Sequence, residues 1–147
     1  MPRPRVLFVD DDPENVRACA LALQSAGVAE AETAVTIGAA VTALHARPVD
    51  LLVMDLFMPL GDTPQALGPR ARKYHQQLQE AGGILLLDEL GRLTRRPYTL
   101  LHTACREPAI LELTQDLVQG RVRKPAPADV LLDAVLSALR EIAASGP

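Results

Sequence analysis

Apolar residues along this chain come in short runs that stop at charged or polar groups. Val6-Leu7-Phe8-Val9 is followed by Asp10-Asp11-Asp12-Pro13, and Leu51-Leu52-Val53-Met54 by Asp55. A continuous apolar run that ends at acids reads as a strand buried on both faces, with a loop after it. Tyr98 to Leu101 leads to His102-Thr103-Ala104, and Arg121-Val122-Arg123 precedes Lys124-Pro125; these are the fourth and fifth strand candidates. Val28 to Ala34 is a weaker candidate, second in order. Between the strands the period changes. Val16, Cys19, Ala20, Leu23 and Ala26 recur at helical spacing between Pro13 and Gly27, with Pro at the start and Gly past the end, as a helix prefers. The same spacing places Ile37, Ala40, Val41 and Leu44 on one face of a helix over Thr36 to Ala46. It predicts helices over Pro108 to Gln119, with Ile110, Leu111, Leu113 and Leu117 inward, and over about Pro127 to Ala144, with Leu131, Leu132, Val135, Leu136, Leu139 and Ile142 inward.

Strands that alternate with helices imply a parallel sheet covered on both faces, and right-handed crossovers make it a doubly wound α/β fold. In such folds functional residues gather at the carboxyl ends of the strands. Four of the predicted strands end in polar groups: Asp10 and Asp11, Asp55, Thr103, and Lys124.

Composition adds bounds rather than chemistry. The 147 residues fit a single domain over 1–147, with no room for a second large one. Aromatic residues are only 3%, so the core must be aliphatic. A net charge of -3 gives no global electrostatic reason to expect nucleic-acid binding. The apolar runs are too short to span a membrane, and the four before Asp10 are too short for a signal peptide. Cys19 and Cys105 do not form a disulfide framework, which fits a reducing, cytoplasmic setting.

The strand-end groups carry the chemistry. Neighbouring carboxylates repel by about 4 kcal/mol per pair at 4 Å and an effective dielectric near 20. A cluster of Asp10, Asp11 and Asp55 therefore favours a divalent cation, and all-oxygen ligands favour a hard one such as Mg²⁺. A hydroxyl on Thr103 and a fixed positive charge on Lys124 suit an anionic phosphoryl group. An acid after a strand is more often a solvated loop residue or a helix cap, and Asp12 beside Pro13 reads as a cap. His102 and Cys105 read as packed residues, and His45 and His75 as surface ones.

Val9-Asp10-Asp11-Asp12-Pro13, Met54-Asp55-Leu56-Phe57-Met58-Pro59, Thr103-Ala104 and Lys124-Pro125 together resemble the receiver domains of bacterial two-component response regulators, of the stand-alone, CheY-like kind. The resemblance implies a five-stranded parallel sheet in the order 2-1-3-4-5, flavodoxin-like, with helices on both faces. It implies that Asp55 is the phosphoacceptor, charged by a sensor histidine kinase or a histidine phosphotransfer protein. It implies a Mg²⁺ site of Asp10, Asp11, Asp55 and the Phe57 backbone carbonyl, with Thr103 as switch hydroxyl, Lys124 as phosphoryl contact, and a cis Lys124–Pro125 bond. Output would be contact with a downstream protein, phosphorelay, or a homodimer.

The sequence departs from the family at three places. Arg121 stands where the family has an aromatic residue. Phe57, a bulky apolar group, lies two positions after Asp55. The stretch from Asp62 to Gly82 reads as an insertion of roughly twenty residues before the third family helix, which matches Gly83 to Leu90. Within the insertion Ala71, Tyr74, Leu78 and Ala81 form a narrow apolar stripe on a short helix between strand 3 and helix 3, beside Arg70, Arg72 and Lys73. That helix could pack passively or act as a lid or docking element. Two other functions stay open: a haloacid-dehalogenase-like phosphatase using Asp10 and Asp12, and a receiver-like interaction module without phosphorylation.

Overall fold

The computed structural model describes residues 2–59 and 82–145. Its five strands are β1 (Arg5–Val9), β2 (Glu30–Ala34), β3 (Leu51–Met54), β4 (Tyr98–Thr103) and β5 (Gly120–Arg123). Its five described helices are α1 (Glu14–Ser25), α2 (Ile37–Ala46), α3 (Gly82–Leu90), α4 (Pro108–Thr114) and α5 (Ala128–Ala144). All strand pairs are parallel and the order is β2-β1-β3-β4-β5, as the family resemblance implies.

The strict alternation of side chains along a strand sorts the core into two halves. Leu7, Val9, Leu52, Met54 and Leu101 point to one side, where α2 and α3 cover them. Val6, Phe8, Leu51, Val53, Leu100 and Val122 point to the other, under α1 and α5. Helices thus cover both faces, which is why Val6 to Val9 and Leu51 to Met54 carry no polar position. Each fully buried aliphatic side chain contributes on the order of 1.5–3 kcal/mol, so a core with a single large aromatic, Phe8, is sufficient.

Boundaries follow local chemistry. Thr36 caps α2 by accepting a hydrogen bond from the Ala39 amide (3.1 Å). Gly27 takes a positive φ of 67° after α1, a conformation that suits glycine. The weak second strand is an edge strand with one fully buried residue, Ala34, which explains its faint pattern. The fourth strand runs two residues beyond Leu101, through Thr103.

One expectation is corrected. The helix predicted over Pro108 to Gln119 stops at Thr114. Leu113 is exposed rather than inward, and Ile110, Leu111 and Leu117 are only half-buried. The chain has to turn there, because the Gln119 amide donates to the Thr99 carbonyl (2.9 Å) and the Gln119 side chain accepts from the Thr99 amide (2.7 Å). Those bonds start β5 beside β4 and cut the helix short. The predicted insertion and its helix, with His75, lie outside the described residues except for Gly82.

The start of α3 is bound to the end of β3. Gly82 and Gly83 amides donate to the Met58 and Leu56 carbonyls (3.0 and 3.1 Å). A Cβ on Gly83 would lie 2.4 Å from the Asp55 carbonyl oxygen and 2.5 Å from the Leu56 Cα. Only glycine admits this approach of helix to strand. Gly83→Ala is expected to destabilise the fold by about 1–3 kcal/mol, because the clash is with backbone that cannot yield. Urea unfolding measures this; an unchanged midpoint would refute the close approach.

Candidate functional site

Strand register builds the site. Val9 pairs with Met54, and Met54 with Leu101, so Asp10, Asp55 and His102 come level at the carboxyl edge of three adjacent strands. The next ladder bonds hold the two acids there: the Asp10 amide donates to Ala34 (3.1 Å) and the Asp55 amide to Val9 (3.0 Å). Continuing the alternation, Asp10 follows the parity of Phe8 and Asp55 that of Val53, so both lean to the α1–α5 side.

Lys124 completes the arrangement. Its Nζ donates to Asp10 Oδ2 (2.7 Å) and to Asp55 Oδ2 (2.8 Å). All three side chains are largely buried. β5 is two strands from β3, so the long lysine stem must carry the ammonium back across β4. Burial works against that charge, but the hydrogen bonds and charges of Asp10 and Asp55 outweigh it and raise the Lys124 pKa above its usual value. The Lys124–Pro125 bond is cis, as the resemblance implies.

The remaining oxygens are also held. Asp10 Oδ1 accepts from the Asp12 amide (3.0 Å) and from Asn15 Nδ2 (3.3 Å), and Asp55 Oδ1 accepts from the Phe57 amide (3.1 Å). Asp11 is exposed beside them. Asp10, Asp11 and Asp55 can each bring one oxygen within 4.8 Å of the others. The Phe57 carbonyl makes no hydrogen bond among the described residues, so it is free to serve as a fourth oxygen donor. An all-oxygen set of this kind suits Mg²⁺.

Thr103 lies on the same edge but turns away. Its Oγ1 accepts from the Cys105 amide (3.2 Å) and makes no hydrogen bond to Asp55 or Lys124. Its backbone carbonyl accepts from the Lys124 amide (3.0 Å), which ties the two loops together. Asp12 is exposed, and its carboxylate accepts from the Glu14 amide (3.2 Å) just before α1, whose N-cap position is Pro13. His102 and Cys105 are buried and His45 is exposed, as expected. Sequence reasoning missed Asn15, whose amide group orients Asp10. Its only signal was a polar residue in the first turn of a helix that starts at the acid cluster.

Residues 6–68 match the family model of the response regulator receiver domain. The chain resembles a receiver domain. The matched stretch holds Asp10, Asp11, Asp55 and Phe57; Thr103 and Lys124 lie beyond it. No curated protein matches in sequence. Among solved structures, a CheY-like response regulator receiver domain protein from Methanospirillum hungatei JF-1 superposes with a TM-score of 0.73 at 19% identity, covering 98% of this chain and 99% of that one. The signal receiver domain of an HD domain-containing protein from Pseudomonas fluorescens Pf-5 gives 0.70 at 19% identity, over 99% and 93% of the two chains. The non-phosphorylated HemR receiver domain from Leptospira biflexa gives 0.69 at 20% identity, over 93% and 94%. At such identities these likenesses establish the receiver fold. Among the described residues no helix is long and apolar enough to cross a membrane.

The cationic lysine has a consequence for its neighbour. His102 is only 3% exposed and its Nδ1 has no hydrogen-bond partner among the described residues. Burial, and then the Lys124 charge, lower its pKa below the usual 6.5, although Asp10 and Asp55 pull the other way. A base whose folded pKa is depressed contributes stability above its unfolded pKa and loses it as pH falls through the folded one. Urea unfolding should therefore show stability falling as pH drops below 6.5, with a shallower slope in His102→Gln. Equal slopes would refute the neutral, buried imidazole.

Proposed function

We propose that this chain is a phosphorylation switch: a receiver that accepts a phosphoryl group on Asp55 from the phosphohistidine of a kinase or phosphotransfer protein. The observation that carries it is the buried contact of one lysine with two carboxylates from two strands, beside a third acid. A purely structural ion pair would not need a third acid, and a phosphatase built on Asp10 and Asp12 would need Asp12 inside the site rather than exposed and bonded to the Glu14 amide.

In this reading a carboxylate oxygen of Asp55 attacks the phosphorus. The nitrogen–phosphorus bond breaks, its electron pair returns to the imidazole of the donor, and an acyl phosphate forms on Asp55. Phosphoryl transfer of this kind needs positioning and charge neutralisation more than covalent help from the protein. Asp10, Asp11, Asp55 and the Phe57 carbonyl would hold a Mg²⁺ ion, which supplies charge neutralisation for the phosphoryl oxygens. Lys124 holds Asp55 in place before transfer and remains within reach of its substituent afterwards. Thr103 would have to give up its bond to the Cys105 amide to reach the phosphoryl group. That rearrangement would reshape the β4–α4 loop and hence the contacts offered to a downstream protein or a second copy. A cytoplasmic location fits such a role.

Incubation with Mg²⁺ and acetyl phosphate should add one phosphoryl mass to the intact protein, and Asp55→Asn should abolish it. Sustained hydrolysis of a generic phosphate ester that survives Asp55→Asn would instead favour an enzyme.

Phe57 should set how long the acyl phosphate lasts. Its side chain is 43% exposed two positions after Asp55, where a bulky apolar group hinders attacking water. Phe57→Asn is expected to shorten the lifetime of the phosphorylated form several-fold, followed by loss of label; equal lifetimes would remove this role.

A further inference from the structure

The alternation that sends Asp10 and Asp55 to one side of the sheet sends Arg121 and Arg123 to the other. Arg121 pairs with Leu101 and Arg123 with Thr103, on the face that α4 should cover. Because α4 ends at Thr114, both arginines remain exposed at the edge strand. Together with Arg106, Thr103, Cys105 and Leu111 they line a cavity of about 230 Å³. Arg121 also borders a second cavity of about 530 Å³, reaching along α4 to Glu112.

Three features make this more than a solvated basic face. None of the Arg106, Arg121 and Arg123 side chains forms a hydrogen bond or ion pair among the described residues, whereas those of Arg5, Arg17, Arg47, Arg92 and Arg95 all do. All three arginines line one concavity of about 230 Å³. The chain as a whole is acidic, with a net charge of -3. Arginines without internal partners around one hollow can reach a common anion, and the planar guanidinium fork matches phosphate oxygens.

We propose that the hollow between the end of β4, β5 and α4 binds a small phosphate-bearing molecule through Arg106, Arg121 and Arg123. It is separate from Asp55, being on the opposite face of the sheet, and needs no phosphorylation. The small volume favours one or two phosphate groups over a larger ligand. The exposed leucine on α4, Leu113, makes an acidic protein segment the main rival occupant.

The test is a titration of the full chain with pyrophosphate, in the absence of Mg²⁺, followed by ¹⁵N-detected shifts of the arginine side chains and the Thr103 and Cys105 amides. Saturable shifts at Arg106, Arg121 and Arg123 are expected. Arg121→Gln and Arg123→Gln, both at exposed positions, should each weaken binding by about tenfold, the scale of one charge-assisted contact. Far-UV circular dichroism and acetyl phosphate labelling of Asp55 in the same variants report on folding and on the phosphoacceptor separately. The proposal is overturned if sodium chloride at matched ionic strength reproduces the shifts, if both variants bind as well as the parent, or if a glutamate-rich peptide binds while pyrophosphate does not.

Discussion

The carboxyl edge of this sheet rests on one cation. Parallel register forces Asp10 and Asp55 to emerge from adjacent strands, and strands lie only about 4.8 Å apart. Two buried carboxylates at that spacing would repel strongly, and their backbone anchors leave them nowhere to retreat. Lys124 resolves the conflict by donating to both. Removing one member of a buried ionic group costs about 3–5 kcal/mol because the survivors keep their burial and lose their partner. Around that ammonium, the Lys124 amide binds the Thr103 carbonyl, Asn15 holds the other oxygen of Asp10, and the charge adds to burial in lowering the His102 pKa.

The same geometry divides the functional edge into two faces. Period-two alternation assigns the acids and the lysine to the α1–α5 side, and Thr103, Arg121 and Arg123 to the α4 side. Thr103 borders both, since its carbonyl binds the Lys124 amide and the residue lines the arginine hollow. An aromatic residue at 121 would fill part of that hollow. Arginine leaves it open and charges its wall.

The parts legible in the sequence were those encoded locally. Buried strands on both faces leave continuous apolar runs, so β1 and β3 were read almost to the residue, and the acids that end them marked the site. The edge strand β2 was faint because only Ala34 is fully buried there. The length of α4 was not legible, because the bonds that end it join Gln119 to Thr99, a contact distant in sequence. The same limit hid the sharing of Lys124 between two acids. Its position before Pro125 was suggestive, but which carboxylate it reaches depends on strand order and on the path of the stem over β4. Arg121 was legible as a departure, and its meaning was not, because exposure there depends on where α4 stops.

Charge balance separates the two ends of the sheet. At the amino end and its flanking loops, Arg5 pairs with Glu32, Arg47 with Glu30 and Arg95 with Asp50. Three bases meet three acids, and nothing further is required. At the carboxyl end Lys124 pairs with Asp10 and Asp55, and the exposed Asp11 lies beside them. Within this cluster three carboxylates face one ammonium, in a site built of oxygen ligands. A fold seeking only stability would have matched the second end as it matched the first, or replaced the acids with apolar residues, which is often neutral or stabilising. Under the proposed function that excess of negative charge has a use: a divalent cation would offset it, together with the charge that an arriving phosphoryl group would add.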